Sequence, residues 1–150
     1  VKNDSIHALC ATISTFKKTL IIAVTEHNRV FGIFTSIPMD LSNTQFFDPS
    51  LAVFETKPSQ DDTFTPYQYR QEPTNEPNVV VTYRKPEIWF SFGARPSALV
   101  LGLTLRCDYC LAVNISQSFP GIEDTALTGV NQTMDSRKTL LKRVAFFNCE

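Results

Sequence analysis

Cys107 and Cys110 are the residues whose type and spacing come closest to known chemistry. Two cysteines separated by two residues can supply half of a tetrahedral zinc site or form a redox-active dithiol. A zinc site needs two more ligands, and Cys10 and Cys149 have no paired spacing that would provide them. In thioredoxin-like proteins the pair precedes a helix, whereas both flanks here are predicted as strands. We predict a turn between strands at this position, with no metal site.

Acid–base or nucleophilic catalysis would need a histidine or a similar group beside a reactive side chain. The only histidines are His7, on a predicted helix, and His27, in a predicted hairpin turn. No nucleophile elbow, zinc-protease motif or glycine-rich phosphate loop occurs. The acidic residues of one proline-rich stretch are Asp61, Asp62, Glu72 and Glu76. Their spacing matches no calcium loop. Because none of these patterns is present, we predict no catalytic residue, no cofactor and no metal.

The charge of the chain gives no general reason to bind a polyanion. Its formal net charge is −1, and basic residues are scattered except for one short run. That run comprises Arg137, Lys138, Lys142 and Arg143. Nucleic-acid-binding domains concentrate basic residues on one face, so we predict no nucleic-acid partner. No apolar run approaches the roughly 18 residues of a membrane-spanning helix, so direct membrane insertion is not predicted either.

Three Asn-x-Ser/Thr triplets and four cysteines allow another interpretation, a secreted β-sandwich linked by disulfides. The triplets begin at Asn3, Asn114 and Asn131. Such triplets often arise by chance, and a chain of 150 residues can bury a sufficient core without disulfides. The chain begins with Val1 and carries no signal segment, so we expect a cytoplasmic domain cut from a longer protein.

The elements that would position these residues begin with a helix and a hairpin. Apolar residues recur at steps of three and four, which predicts a helix over residues 4–16. Residues 19–25 and 30–35 are apolar and β-branched runs on either side of a short polar break, the pattern of a hairpin. Gly32 within the second run indicates a bulge or the close approach of another backbone.

The rest of the chain is predicted to consist mainly of strands. They span residues 51–54, 78–83, 87–93, 98–105, 109–115 and 140–148, with a brief strand at 67–70. The segments 57–78 and 118–135 are predicted surface excursions. Many strands with one early helix indicate a mostly β fold (α+β), with two antiparallel sheets packed as a sandwich and one or two short helices. We expect a single domain over residues 1–150.

Taken together, these segments resemble the TLDc domain family, the module found in oxidation-resistance proteins. The similar segments are residues 5–10, 19–25, 29–36, 48–54, 86–93 and 98–101. They carry a short helix with a cysteine, a Thr-Leu strand, a Phe-Gly strand, an Asp-initiated strand and a second Phe-Gly strand, in the family's order. The last strand departs from the family, because it lacks the glutamates that usually alternate with apolar residues there.

The resemblance implies a two-sheet sandwich without established enzymatic chemistry. It also implies a role in resistance to oxidative stress and binding to peripheral subunits of the vacuolar-type proton ATPase. We therefore expect a non-catalytic protein-interaction domain. Two alternatives stay open: a thiol-based redox enzyme that uses Cys107 and Cys110, and the secreted disulfide-linked module.

Two further expectations concern the residues that the fold requires and the segments that select partners. The residues on which we expect the fold to depend most are Phe31, Gly32, Trp89, Phe92 and Gly93. Loops carried by a rigid scaffold tolerate variation and often hold binding residues. The excursions at 57–78 and 118–135 are therefore where we expect partners to be chosen.

Overall fold

A computed structural model of the chain describes residues 3–39, 45–56, 64–70, 76–84, 86–93, 98–133 and 135–149. In this part of the chain one helix, α1 (Asn3–Ile13), is followed by ten strands. The first five strands are β1 (Thr19–Thr25), β2 (Val30–Thr35), β3 (Gln45–Phe46), β4 (Ala52–Thr56) and β5 (Phe64–Gln68). The others are β6 (Val79–Arg84), β7 (Glu87–Phe92), β8 (Leu99–Leu103), β9 (Asp108–Ala112) and β10 (Thr139–Asn148), with a 3-10 turn at Ile115–Gln117.

The helix forms where its apolar spacing predicts, but it ends at Ile13 rather than at residue 16. Ile6 and Ile13 are fully buried and Cys10 is nearly so, so the apolar stripe of α1 packs on the core beside β7. After Ile13 the backbone tightens into turns, in which the Phe16 N–H donates to the Ile13 carbonyl at 2.9 Å.

The predicted hairpin is confirmed, because β1 and β2 pair along their length in antiparallel register. Asn28 in the turn has a φ of 64°, a left-handed conformation that asparagine tolerates better than most residues. Of the two alternatives predicted for Gly32, the bulge is wrong, because this residue lies in regular register between Ile22 and Phe54. The nearest backbone atom to a Cβ built there is Ile21 O, at 3.5 Å, an ordinary contact distance. The missing side chain of Gly32 leaves room for Ile22 instead, whose Cδ1 would lie 3.3 Å from a Cβ built at position 32.

The mostly β prediction is confirmed, but the two separate sheets that we expected are one continuous antiparallel sheet. Its order is β3-β6-β7-β8-β9-β10-β1-β2-β4-β5. β10 joins the two halves, since its first two residues, Thr139 and Leu140, pair with β9 while residues 141–148 pair with β1. The strand runs were readable in the sequence, whereas the sharing of one strand between two partners was not.

A bulge in β10 explains how one strand serves both halves. Val24 pairs with Arg143, but the next residue, Thr25, pairs with Leu141, which leaves Lys142 as the extra residue. A bulge bends its strand and increases the local twist, and such bends are how strands pass from one packed layer to another. The sheet therefore turns at Lys142 without a break in the chain.

Both halves of the sheet contribute to one hydrophobic core. Fully buried side chains come from β1, β2 and β4 on one side and from β6, β7 and β8 on the other. Phe90 of β7 connects them, because its ring centroid lies 5.7 Å from that of Phe146 in β10. Aromatic rings bury large areas, so this contact holds the halves together across the core.

A buried polar cluster ties the segment before β4 to the ends of β2 and β6. Asp48 is fully buried, and its carboxylate accepts hydrogen bonds from Ser36 N and Ser36 Oγ, both at 2.6 Å, and from Ser50 N at 2.9 Å. The side-chain amide of Asn78 clamps the backbone of Asp48, since Oδ1 accepts from Asp48 N at 2.7 Å and Nδ2 donates to Asp48 O at 2.8 Å. Each partner satisfies a group that burial would otherwise leave unpaired.

Candidate interaction surfaces

Cys107 and Cys110 lie on opposite faces of the sheet rather than side by side. Cys110 is fully buried within β9 and pairs in register with Leu101 of β8. Cys107 precedes β9, is partly exposed, and lines a cavity on the outer face together with Tyr109. Burial, with a smaller contribution from the charge of Glu26, raises the pKa of Cys110 to about 12. A buried and protonated thiol is the opposite of an activated nucleophile.

Alkylation of the native protein is expected to modify Cys107 and Cys149 quickly and to spare Cys110. Cys149 is exposed and Cys107 is partly exposed. The rise of the Cys110 pKa from 9.0 to about 12 leaves about 1,000-fold less thiolate at neutral pH than in the unfolded chain. Peptide mass mapping after a short iodoacetamide pulse measures each site, with urea-unfolded protein as the control. Rapid labelling of Cys110 in the native protein would contradict this prediction.

The same thiol gives stability a defined pH dependence. The folded-state pKa of Cys110 lies above the ordinary value of 9.0, so the unfolded chain releases this proton first as the pH rises. The contribution of the buried thiol to the free energy of unfolding is therefore fully present below pH 9.0 and is lost as the pH rises towards 12.

The histidines lie apart, at the surface. His7 is exposed on α1 and His27 is exposed in the β1–β2 turn. His27 Nε2 is 3.2 Å from Glu26 Oε1, and Arg137 Nη2 is 3.9 Å from the same oxygen. Exposed ion pairs of this kind contribute about 0–1 kcal/mol to the free energy of unfolding, so we do not interpret them as a functional site.

The acidic residues considered for calcium are only partly placed. Asp61, Asp62 and Glu72 lie outside the described residues, and Glu76 is half-buried just before β6. Among the residues that the structure describes, no group of three or more His, Cys, Asp or Glu side chains is arranged to hold a metal ion. In the same part of the chain, no helix combines the length and the apolar composition needed to cross a membrane.

The residues singled out for the fold are buried, with one exception. Phe31 and Phe92 are completely buried, and Gly32 is buried as well. Gly93 is buried with a φ of 98°, and a Cβ there would lie 2.9 Å from the Cβ of Ala98, so only glycine fits. Trp89 is different, because it is partly exposed on the outer face of β7. Its role is therefore at the surface rather than in the core.

The excursion at 118–135 is anchored rather than loose. Its buried apolar side chains are Phe119, Ile122 and Leu127. Gln132 is buried too: Oε1 accepts from Ala112 N at 2.8 Å, and Nε2 donates to Thr139 Oγ1 at 3.1 Å. This side chain bridges β9 and β10 beside their short pairing. The prediction that variation is tolerated throughout this segment conflicts with these contacts, because each anchor would leave a cavity or an unpaired group if replaced.

The excursion at 57–78 is described only between residues 64 and 70 and from residue 76 onwards, and the intervening parts lie outside the described residues. The brief strand predicted at 67–70 is present as β5, but it starts at Phe64 and ends at Gln68. Tyr69, just after the strand, is buried, and its ring lies edge-on to Phe119 with centroids 6.1 Å apart. These contacts join β5 to the 118–135 segment.

The outer side of β10, β1, β2, β4 and β5 is apolar, and we call it the apolar face. Along β1 its side chains alternate strictly with buried ones, and the register of the neighbouring strands continues the same face. Most of these side chains are partly exposed. They are Leu20, Ile22, Val24, Val30, Phe34, Ala52, Phe54, Ala145 and Phe147. Phe147 is 49% exposed. The polar residues in register on this face are Thr56, Gln68 and Arg143, and Lys142 is exposed beside Arg143 at the bulge.

A groove runs along the edge of the apolar face, with a volume of about 560 Å³. It is lined by Phe34, Ser50, Ala52, Phe54, Pro66, Tyr67, Gln68 and Pro120. β5 is the edge strand here, and Pro66 in its centre pairs with Phe54. Proline has no N–H, so this edge is poorly suited to pairing with a further strand. Side-chain packing, rather than strand addition, is the contact that the groove favours.

A second cavity, of about 350 Å³, lies on the outer face of the other half of the sheet, and we call it the Trp89 pocket. Its lining residues are Glu87, Trp89, Thr104, Leu105, Arg106, Cys107, Tyr109 and Lys138. Trp89, Gly102 and Tyr109 are cross-strand neighbours on β7, β8 and β9. A Cβ at Gly102 would overlap the ring of Tyr109, so the aromatic ring lies directly on the glycine backbone.

The two aromatic rings of the Trp89 pocket are fixed by polar contacts. Trp89 Nε1 donates to the Tyr109 hydroxyl at 2.9 Å. Lys138 Nζ lies 4.3 Å from the centroid of the Tyr109 ring, within cation–π distance. The predicted turn between strands forms one wall, at residues 104–107 rather than 107–110, and Thr104 Oγ1 donates to the Cys107 carbonyl at 2.7 Å. The pocket is thus preformed.

Comparisons with known proteins add no family assignment. No protein-family model matches the chain, and no curated protein shows significant sequence similarity to it. The likeness to the TLDc family therefore stays a prediction from the segments quoted above.

Proposed function

We propose that this chain is a non-catalytic, TLDc-like protein-interaction domain that docks through its apolar face. The observation that carries the proposal is the composition of that face. Strand positions that face water are ordinarily polar, and monomeric proteins rarely expose apolar patches larger than a few hundred Å². An outer sheet face on which apolar side chains outnumber polar ones, with charge confined to one end of β10, has the composition of a surface that another protein covers.

The partner and the cellular role in this proposal come from the resemblance. The partner is a peripheral subunit of the vacuolar-type proton ATPase, and the consequence of binding is resistance to oxidative stress. In this proposal the domain acts in the cytoplasm, because cysteines stay reduced there and the four cysteines of this chain are free. Because β10 contains no glutamate, the contacts in this proposal depend on apolar packing from β1 and β10.

Replacing Leu20 and Phe147 together with glutamate is expected to weaken binding to purified peripheral subunits of the pump by at least about tenfold. These residues are neighbours in register, and burying two carboxylates in an apolar interface is costly. Val130→Glu is the matched control, because Val130 has the same 49% exposure as Phe147 but lies outside the apolar face. Affinity is measured by biolayer interferometry, after circular dichroism has established that each variant is folded.

Two results would overturn parts of the proposal. If the unmodified domain fails to bind the peripheral subunits, the pump is not its partner. If it binds and Leu20→Glu/Phe147→Glu binds equally well, the apolar face is not the docking surface.

The alternatives make different predictions for the cysteines. A thiol-based enzyme would lose peroxide protection when Cys107 and Cys110 become serine, but the buried position of Cys110 and its raised pKa argue against such a role. A secreted disulfide-linked module would change its intact mass on reduction, whereas all four cysteines are free in the structure. The interaction domain predicts that neither treatment alters binding.

A further inference from the structure

The Trp89 pocket has an aromatic floor that is held in place by polar contacts. Trp89 Nε1 donates its only N–H to the Tyr109 hydroxyl, so the indole has no polar group left for a ligand. Tyr109 is 8% exposed, between Gly102 and Lys138, whereas Trp89 is partly exposed and Leu105 is 50% exposed. Leu140, directly across from Tyr109 on β10, is 37% exposed and extends this surface. The volume of about 350 Å³ is at the lower end for ligand pockets and suits one or two side chains.

The rim of the pocket is positively charged. Arg106 and Lys138 are both exposed lining residues, and they outnumber the one lining carboxylate, Glu87. Glu87 is already engaged, because its Oε1 accepts a hydrogen bond from Leu105 N at 3.2 Å. Complementary charge at the rim of an interface steers association and selects the partner's sign. The pocket is therefore complementary to negative charge around an apolar anchor.

We infer that the Trp89 pocket binds an acidic peptide segment that carries one aromatic or large aliphatic side chain. The anchor packs on Trp89 and Leu105, and flanking carboxylates face Arg106 and Lys138. Peptide anchors of this kind concentrate affinity in one buried side chain with a polar surround. The inference goes beyond the proposed function, because the pocket and the apolar face lie on different halves of the sheet and need different ligands.

A single-stranded nucleic acid is the competing class, since aromatic rings beside cations also stack bases. Such sites normally follow a long positively charged groove. Here the pocket has two exposed cations in a chain of net charge −1. The peptide is the better match, and an oligonucleotide belongs in the test.

The test uses two signals that report on this pocket. Trp89 is the only tryptophan of the chain, so intrinsic fluorescence reads the pocket directly. Cys107 lines the same pocket, and exposed Cys149 serves as an internal reference for alkylation. The probes are capped pentapeptides of sequence Glu-Glu-Phe-Glu-Glu and Glu-Glu-Leu-Glu-Glu. Their counterparts are Lys-Lys-Phe-Lys-Lys, Glu-Glu-Gly-Glu-Glu and a short oligouridylate.

The anchored acidic peptides are expected to shift Trp89 emission saturably and to slow alkylation of Cys107 but not of Cys149. Arg106→Glu/Lys138→Glu is expected to lower their affinity by at least about tenfold. Lys18→Glu/Arg70→Glu, which makes the same change of net charge at exposed basic residues elsewhere, should leave it unchanged. The inference is overturned if no acidic peptide gives either signal. It is also overturned if the lysine, glycine or oligouridylate probe responds equally, or if both double variants lose affinity alike. None of these outcomes depends on the proton pump, so the docking proposal is tested separately.

Discussion

The Asp48→Ala protein is expected to lose about 3–5 kcal/mol of its free energy of unfolding. The substitution removes a fully buried carboxylate that accepts from Ser36 N, Ser36 Oγ and Ser50 N, of which Ser36 is partly buried and Ser50 is exposed. Each buried donor that loses its partner costs roughly 1–3 kcal/mol, and these costs partly overlap. The loss follows from desolvated backbone groups rather than from a missing ion pair.

Urea-induced unfolding followed by Trp89 fluorescence and by far-UV circular dichroism measures this loss, and coincidence of the two signals checks two-state behaviour. Ser36→Ala is the graded control, because it removes one hydroxyl donor but keeps the carboxylate. We expect it to cost about 1 kcal/mol. If Asp48→Ala does not fold at all, Asp48→Asn, which keeps one acceptor oxygen, should fall between the two. A loss of less than about 1 kcal/mol in the free energy of unfolding of Asp48→Ala would show that the cluster does not stabilise the fold as proposed.

Gly102→Ala is expected to lower the free energy of unfolding by about 2–4 kcal/mol. The added methyl would overlap the Tyr109 ring, which cannot move without losing its hydrogen bond from Trp89 Nε1. Gly32→Ala is the matched control, because there the nearest atom is the end of the Ile22 side chain, at 3.3 Å, which can shift. We expect that variant to cost less than about 1 kcal/mol.

A double-mutant cycle assigns the effect to the aromatic ring. Tyr109→Ala removes the obstacle, so Gly102→Ala/Tyr109→Ala should be more stable than the sum of the single losses by at least about 1 kcal/mol. Gly102→Ala alone should shift the Trp89 emission maximum. The double variant should have the same emission maximum as Tyr109→Ala. Strict additivity would mean that Gly102 is required for some reason other than its contact with Tyr109.

The sequence predicted those parts of the fold that depend on local pattern. The helix from Ile6 to Ile13 and the hairpin around Asn28 follow from apolar spacing and turn chemistry, and both are present. The single sheet could not be predicted in this way. It depends on the pairing of β10 with both β1 and β9 and on the bulge at Lys142, which are decided by contacts between distant segments.

The candidate surfaces show the same division. The run from Thr19 to Thr25 is apolar at both odd and even positions, a pattern typical of strands covered on both faces, so the apolar face was signalled in the sequence. The Trp89 pocket was not, because Trp89, Gly102 and Tyr109 are brought together only by the register of three strands. Asp48 was also missed, since nothing in its local sequence shows that Ser36 and Asn78 would enclose it.

The shared strand β10 has a consequence for how the chain reaches its structure. β1 follows the first helix, yet one of its two neighbours is β10, at the far end of the described chain. Contacts between segments so distant in sequence are slow to form, because loop closure costs entropy before any contact repays it. During synthesis β1 must wait with one edge open until β10 has left the ribosome. The hairpin with β2 can form early, and it then protects the other edge of β1 from pairing with other chains.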